Sequence, residues 1–432
     1  MGLIMKVYFY TLGCKVNQYE TQALSESLRS AGYTITSDAN DADIYIVNSC
    51  TVTSASDQKT RQAVRRFKRN NPNSIVILTG CMPQAYPKQA AELFSADIVL
   101  GNRNNDNLLK MLEEYLEKHN RVVTLVEHQT GDKFDELHIS SFDERTRAFV
   151  KIQDGCDRFC SYCIIPTSRG RSRSKPLDTL KKELETIATS GYKEVVLVGI
   201  NLSCYGKDIG LSICDAIEIA CSFDTIDRVR LGSLEPDHMT DEVISRLSKL
   251  PKLCPQFHIS LQSGCDATLK RMNRHYTAQE YIELCEKLRS SFAHTTLTTD
   301  VMVGFPLETE EDFVESMQFV KKVGFEKIHV FPYSVRTGTK AAKISPQITR
   351  AVKEERCKRM IEVGDEIRRE YFKSLVGKTA EILCETFTDG FVYGYTMNYT
   401  PIKAKSTQDL HGQVRNVKIT GFDDEHCIGE FV

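Results

Sequence analysis

Short apolar runs alternate with helix-length amphipathic stretches along most of this 432-residue chain, in two separate series. In the first, runs at Val7–Tyr10, Ile44–Val47, Ile75–Leu78 and Ile98–Leu100 are separated by helical stretches such as Asn17–Ala31, Ala55–Lys68, Lys88–Phe94 and Asp106–Lys118. In the second, strands are expected at Ala148–Gln153, Glu194–Val198, Arg228–Leu231, Phe257–Leu261, Thr296–Val303 and Lys327–Phe331. Helices fill its gaps, among them Leu177–Ser190, Asp241–Leu250, Ala278–Ser290 and Glu310–Val323. A strand–helix repeat builds a parallel sheet whose connections cover its faces, so the fold class is α/β. The first series predicts a doubly wound sheet. The second holds six units in about 190 residues where a closed eight-fold barrel takes ~250, which predicts a partial, TIM-like (β/α)6 barrel. A basic helix is expected over 345–374. From Gly377 the period drops to two with glycine-rich turns, predicting a small OB-like β-barrel. The expected domains are 1–120, a linker at 121–145 with one strand near Val122–Val126, 146–373, and 374–432.

The cysteines fall tellingly on this frame. Cys156, Cys160 and Cys163 lie in one loop at C-x3-C-x2-C, directly after the first strand of the second series. That spacing matches neither the paired C-x2-C halves of a zinc ribbon nor a C-x-x-C redox pair. Three thiolates there can hold three irons of a [4Fe–4S] cube and leave the fourth open to chelate the amino and carboxylate groups of S-adenosylmethionine. A structural zinc site lacking its fourth ligand is the alternative. Cys14, Cys50 and Cys81 each follow a strand of the first series, in T-L-G-C, N-S-C and T-G-C. The carboxyl ends of parallel strands share one edge, where open α/β sheets bind ligands, so these three are expected to converge as a second open cluster site. Taken singly, each also reads as a small buried residue.

Strand ends of the second series would ring one pocket at the mouth of the barrel. They offer Gly199, Asn201, Glu235, Gln262, Ser263 and Gly304 as groups for a nucleoside, with turn chemistry as the competing reading. R-G-R-S-R-S-K adds Arg169, Arg171, Arg173 and Lys175 near the Cys156 loop. Lys59, Arg61, Arg65, Arg66, Lys68 and Arg69 follow Cys50 with no acid among them, either a solvated face or an anion-binding surface. In the tail, Tyr393, Tyr395 and Tyr399 could stack on bases or be core and rim, and acids outnumber Lys and Arg there.

Composition bounds the setting. Lys and Arg number 56 against 58 Asp and Glu, so global charge selects no partner. The 15 cysteines are odd in number, which suits thiolates used for metal in a cytoplasmic protein better than a disulfide framework. The start, M-G-L-I-M-K-V-Y-F-Y-T-L-G-C, reads as a first strand rather than a lipoprotein leader ending at Cys14. No apolar run approaches the ~20 residues of a membrane span, and no membrane partner is expected.

Three blocks carry a resemblance: T-L-G-C-K-V-N-Q-Y-E-T; N-S-C-T-V-T with T-G-C-M; and Q-D-G-C-D-R-F-C-S-Y-C-I-I-P-T-S-R-G. With L-Q-S-G-C-D-A-T-L-K-R-M-N-R-H-Y-T and G-F-P-L-E-T-E-E-D-F, they resemble the methylthiotransferases of the radical S-adenosylmethionine superfamily over essentially the whole chain. The tail is similar to that family's RNA-binding TRAM module. Within the family, L-G-C-K-V-N-Q-Y-E and S-C-T-V-T are most similar to the branch acting on N6-threonylcarbamoyladenosine at position 37 of tRNA. Leu307 departs from the pattern, since the family commonly has a second glycine after Phe-Pro.

The resemblance implies two [4Fe–4S] clusters. The one on Cys156, Cys160 and Cys163 would reduce S-adenosylmethionine to give a radical that takes the hydrogen from C2 of adenine. The one on Cys14, Cys50 and Cys81 would present sulfur, methylated by a second S-adenosylmethionine. Sheet and barrel would then face each other across the base, which a loop extrudes more cheaply than a duplex does. The implied partners are the tRNA anticodon loop and a low-potential electron donor such as flavodoxin or ferredoxin, and a monomer is expected. The threonylcarbamoyl carboxylate needs a cation, for which Arg169, Arg171 and Arg173 are the candidates. The isopentenyladenosine branch, the branch acting on ribosomal protein S12, and a non-catalytic iron–sulfur RNA-binding protein remain the alternatives.

Overall fold

The computed structural model describes residues 5–135, 137, 139 and 146–432, so part of the expected linker lies outside the described residues. The first domain runs β1 (Lys6–Thr11), α1 (Lys15–Ser30), β2 (Thr34–Ile35), β3 (Ile44–Ser49), α2 (Ser54–Asn70), β4 (Ile75–Gly80), α3 (Cys81–Ala85), α4 (Pro87–Ala91), β5 (Ile98–Leu100), α5 (Leu108–Lys118) and β6 (Val122–Thr124). All its strands are parallel, in the order β2-β1-β3-β4-β5-β6. Central β3 and β4 are buried on both faces, which is why I-Y-I-V and I-V-I-L read as continuous apolar runs without alternation. Val64 and Phe67 of α2 pack on one face with Tyr45 and Val47; Leu24 and Leu28 of α1 and Leu112 of α5 pack on the other. The strand near Val122 belongs to this sheet, paired with β5, so the domain extends beyond the expected boundary at 120.

The second domain begins with β7 (Arg147–Lys151), β8 (Gln153–Asp154), α6 (Ile165–Arg169), β9 (Arg173–Ser174), α7 (Leu177–Thr189), β10 (Glu194–Val198), α8 (Ile213–Cys221), β11 (Arg228–Leu231) and β12 (Ser233–Leu234). It continues through α9 (Asp241–Leu247), β13 (Gln256–Ile259), α10 (Asp266–Arg271), α11 (Ala278–Ser291), β14 (Thr296–Val303), α12 (Glu310–Val323), β15 (Lys327–Pro332) and α13 (Arg350–Leu375). The six expected strand positions are present. The ladder is interrupted at Gly232, leaving a three-stranded sheet β11-β10-β7 and a four-stranded sheet β12-β13-β14-β15, all parallel. The sequence reading overlooked α8, whose apolar residues Ile213, Ala216, Ile217 and Ala220 sit in the domain core.

Leu307, in the turn after β14, has φ of +65° and is 42% exposed. A left-handed residue other than glycine costs about 1–2 kcal/mol, and little packing is lost on removing this exposed side chain. Leu307→Gly is therefore expected to stabilise the protein by about 0.5–1 kcal/mol after the extra chain entropy of glycine. A higher denaturant midpoint at unchanged slope checks this.

The tail forms a closed barrel, β16 (Thr379–Thr388), β17 (Phe391–Thr396), β18 (Pro401–Lys405), β19 (Val414–Phe422) and β20 (Cys427–Phe431), in the order β16-β17-β18-β20-β19. Phe372 of α13 enters its core beside Ile382, Val392, Ile402 and Val417. The turn between β17 and β18 closes the amino-terminal end of the partial barrel. There Arg228 donates to the Tyr395 carbonyl (3.1 Å), Arg230 to the Met397 carbonyl (3.0 Å) and Thr296 to the Asn398 carbonyl (2.5 Å). The Tyr395 and Tyr399 rings stack on each other at 4.4 Å, with the Arg147 guanidinium over both and Arg230 over Tyr399. Of the two readings of these tyrosines, the structure favours core and rim over a platform for bases: the four groups seal a domain interface. Tyr393 lies edge-on to His426 instead.

Candidate active site

The carboxyl edge of the first sheet meets the mouth of the partial barrel, and both cysteine sets lie at that junction. Glycines set two of the approaches. Gly13 has φ of +109°, and a Cβ there would come within 2.8 Å of the Cys50 Cβ, so Cys14 can turn beside Cys50 only after glycine. Gly155, at φ +72°, lies so close to the Arg171 carbonyl that a Cβ would meet it at 1.9 Å. Burial pushes the Cys81 thiol up to about 12, with the charge of Arg169 opposing and neighbouring Cys50 and Cys14 adding to it. Burial likewise raises Cys156 to about 12, against the Arg158 N–H, and raises Cys163 further, with Cys160 contributing.

The donor sets suit iron–sulfur clusters. Cys50 and Cys81 are buried, Cys14 is exposed, Cys156, Cys160 and Cys163 are half-buried, and each set is met by N–H groups, the arrangement that tunes cluster sulfurs. Arg169 Nε donates to Cys81 Sγ at 3.2 Å and Asn102 Nδ2 at 3.8 Å. Asn201 Nδ2 donates to Cys156 Sγ at 3.6 Å, and Arg274 Nη1 to Cys160 Sγ at 3.3 Å. Cys156, Cys160 and Cys163 would hold one cluster, and Cys14, Cys50 and Cys81 a second.

Between the sets lies a cavity of about 340 Å³. Val52 and Thr53, following Cys50, form one wall. Tyr162, Cys163, Ile164 and Ile165 form another, with Gln262, Asp300, Met302, Phe331, Tyr333 and Ser334 closing it from the barrel strands. Two contacts fix its rim. Arg336, which follows the sixth barrel strand, donates to Asp57 at 2.5 Å and to Thr51 at 2.8 Å, and Ser54 bonds to Ser334 at 2.9 Å.

The other predicted site residues divide. Asn201 and Gln262 each leave a buried side-chain carbonyl oxygen without a partner, as a ligand-binding group should. Gly199 lies tight against Gln153, within 2.9 Å of where a Cβ would stand. Glu235 is not free for a nucleoside: it pairs with buried Arg274 and lies 3.5 Å from Arg158. Ser263 accepts from the Cys265 N–H, and a Cβ at Gly304 would strike Lys353 of α13, so both are held in packing. Arg169 and Arg173 are also corrected. All five N–H groups of Arg169 are used, on Cys81, Asn17, Asp154 and both oxygens of Glu20. Arg173 donates to the Arg169 carbonyl and to Asp154. Only Arg171 remains open to solvent, paired with Asp157 and stacked on Phe159. Sequence reasoning missed Arg274 and Arg336, whose partners Glu235 and Asp57 come from distant segments.

The pattern of the Radical SAM superfamily matches residues 150–320, and that of the Uncharacterized protein family UPF0004 matches residues 6–101. The threonylcarbamoyladenosine tRNA methylthiotransferase MtaB of Bacillus subtilis is 38% identical over 435 residues, covering 99% of this chain and 96% of its own. The chain belongs to the methylthiotransferase family of radical S-adenosylmethionine enzymes. A methylthiotransferase of the same name from Aquifex aeolicus is 37% identical, covering 95% and 99%. A tRNA-2-methylthio-N(6)-dimethylallyladenosine synthase from Pelotomaculum thermopropionicum is 34% identical, covering 98% and 97%. The radical S-adenosylmethionine methyltransferase TsrM of Kitasatospora setae, solved with cobalamin and a [4Fe-4S] cluster, shares the fold at a TM-score of 0.59 and 12% identity, over 79% of this chain and 77% of its own. Membership of this methylthiotransferase family carries with it a [4Fe–4S] cluster, S-adenosylmethionine, and radical methylthiolation of tRNA. Among the described residues, no helix is long and apolar enough to cross a membrane.

Proposed function

We propose that this methylthiotransferase inserts a methylthio group at C2 of N6-threonylcarbamoyladenosine 37 of tRNA, with sulfur from a second [4Fe–4S] cluster on Cys14, Cys50 and Cys81. The observation that carries the reading is the cavity between Thr53 and Cys163, lined jointly by the two cysteine-bearing domains. Its size falls in the range of small-molecule sites. A C–H at C2 of adenine is beyond any side-chain base, and the cluster with S-adenosylmethionine supplies the one-electron chemistry that can take it. The chain's part is to hold, orient and enclose. Asn201 donates to Cys156 Sγ, and its buried side-chain oxygen has no partner among the described residues. Gln262 presents an acceptor beside Cys163, suited to an N–H of the substrate base or its N6 substituent. Asp300, 3.2 Å from His258, adds a carboxylate to the same wall.

The substrate branch rests on the names of relatives: four threonylcarbamoyladenosine enzymes are 35–38% identical to this chain. The dimethylallyladenosine relatives follow at 34%. Arg171 lies outside the cavity lining, open to solvent, and is the arginine of the three left to meet the threonylcarboxylate. The experiment offers two otherwise matched tRNAs, one with threonylcarbamoyl and one with isopentenyl at the same adenosine. Preference for the first is expected. If Arg171 meets the carboxylate, a charge-assisted contact of roughly 1.5–3 kcal/mol, Arg171→Gln lowers that preference about tenfold or more. Preference for isopentenyl would overturn the branch and leave the family unchanged.

A further inference from the structure

We propose that the exposed basic face of α2 is the track on which the phosphodiester backbone of a folded RNA lies while one of its bases occupies the cavity. The inference rests on the RNA substrate proposed above and adds the surface that holds it. α2 starts at the cavity: Thr53 caps the helix and lines the pocket, and Ser54 bonds to Ser334 on the barrel side. From there its 17 residues run about 25 Å away along the outer face of the first sheet. The one acid in the helix, Asp57, is buried and neutralised by Arg336. Lys68 is paired with Asp97, and Arg66 lies over the Tyr10 and Phe67 rings.

That leaves Lys59, Arg61, Arg65 and Arg69, which make no ion pair among the described residues. Arg61, Arg65 and Arg69 stand four residues apart on one stripe. Lys59 to Arg69 spans about 15 Å, enough to follow several successive phosphates of a duplex strand, where charges lie ~3.4 Å apart along the axis. A cationic stripe left unpaired on the surface, where the buried arginines of the described residues are matched to acids, suits a polyanion. The tail barrel is the competing surface, but its stacked Tyr395 and Tyr399 are committed to the barrel floor.

The test titrates a synthetic anticodon stem–loop RNA against the full-length holoenzyme over a range of salt. The triple variant Arg61→Gln, Arg65→Gln, Arg69→Gln is compared with Lys405→Gln, Arg415→Gln on the tail barrel. Each lost phosphate contact flattens the slope of log affinity against log salt by about 0.7–0.9, so the triple variant should lose about two units of slope and about a hundredfold in affinity near 0.1 M salt. KM for tRNA should rise with kcat held, while cleavage of S-adenosylmethionine without tRNA stays unchanged. A triple variant with the wild-type slope, or a slope lost only in the tail variant, overturns the inference. So does a triple variant that binds RNA normally but fails only when electrons come from an acidic donor protein instead of dithionite. A wild-type holoenzyme with no salt-dependent RNA affinity would instead strike at the RNA substrate itself.

Discussion

Alanine at Cys156, Cys160 or Cys163 is expected to abolish reductive cleavage of S-adenosylmethionine while iron persists at the other site. Alanine at Cys50 is expected to do the converse: 5′-deoxyadenosine still forms, but no methylthiolated nucleoside does. The structural ground is that each set is built by its own domain. Cys156, Cys160 and Cys163 hang on the loop after β7, with N–H groups from Asn201 and Arg274 of the same barrel. Cys14, Cys50 and Cys81 follow β1, β3 and β4 of the first sheet, which has apolar clusters of its own on both faces. Iron counting and a cleavage assay on each variant decide it. Equal loss of cleavage from both sets, in variants with unchanged melting, would refute the division.

Arg169→Ala is expected to be the most damaging single change outside the cysteines, and through assembly rather than substrate choice. Its guanidinium is fully buried between the domains, with Glu20 of α1 on one side and Asp154 on the other. Removing one member of such a buried set strands charge and typically costs about 3–5 kcal/mol. Glu20 would keep Lys151 as its remaining close cation, at 2.8 Å. Because Arg169 Nε also donates to Cys81, iron at the first-domain site should fall more than iron on the Cys156 loop. Arg169→Lys keeps the charge but not the fork, and should recover stability in part without restoring the Cys81 contact. Denaturant midpoints and site-resolved iron counts check both. A midpoint within about 0.5 kcal/mol of wild type would show that the arginine holds nothing together.

Strand positions were legible because period and length agree: Glu194–Val198, Arg228–Leu231 and Thr296–Val303 have the expected bounds. That Cys14, Cys50 and Cys81 lie along one edge was legible because strand ends share an edge in parallel sheets. The arginines misled, for a physical reason. Proximity in sequence to Cys163 said that Arg169 was near the mouth, but nothing local could say that Glu20, some 149 residues earlier, waits opposite it. Glu235 went the same way, since its partner Arg274 is 39 residues on. Charged residues near a site are solvated, paired or ligating, and only the packed chain distinguishes these.

The seal over the barrel floor bears on how the chain is made. Arg230 and Glu194 are 1% exposed only because residues 395–399 cover them, and those residues leave the ribosome after the whole barrel. A nascent middle domain therefore carries a wet, charged end that cannot close until residues 395–399 have been made. Domain-by-domain maturation, the usual course for long chains, gives way here to a final locking step. A nonsense or frameshift lesion between the end of the barrel and residue 395 would on this account leave an open-ended barrel for the quality-control machinery, not a working enzyme short of one accessory.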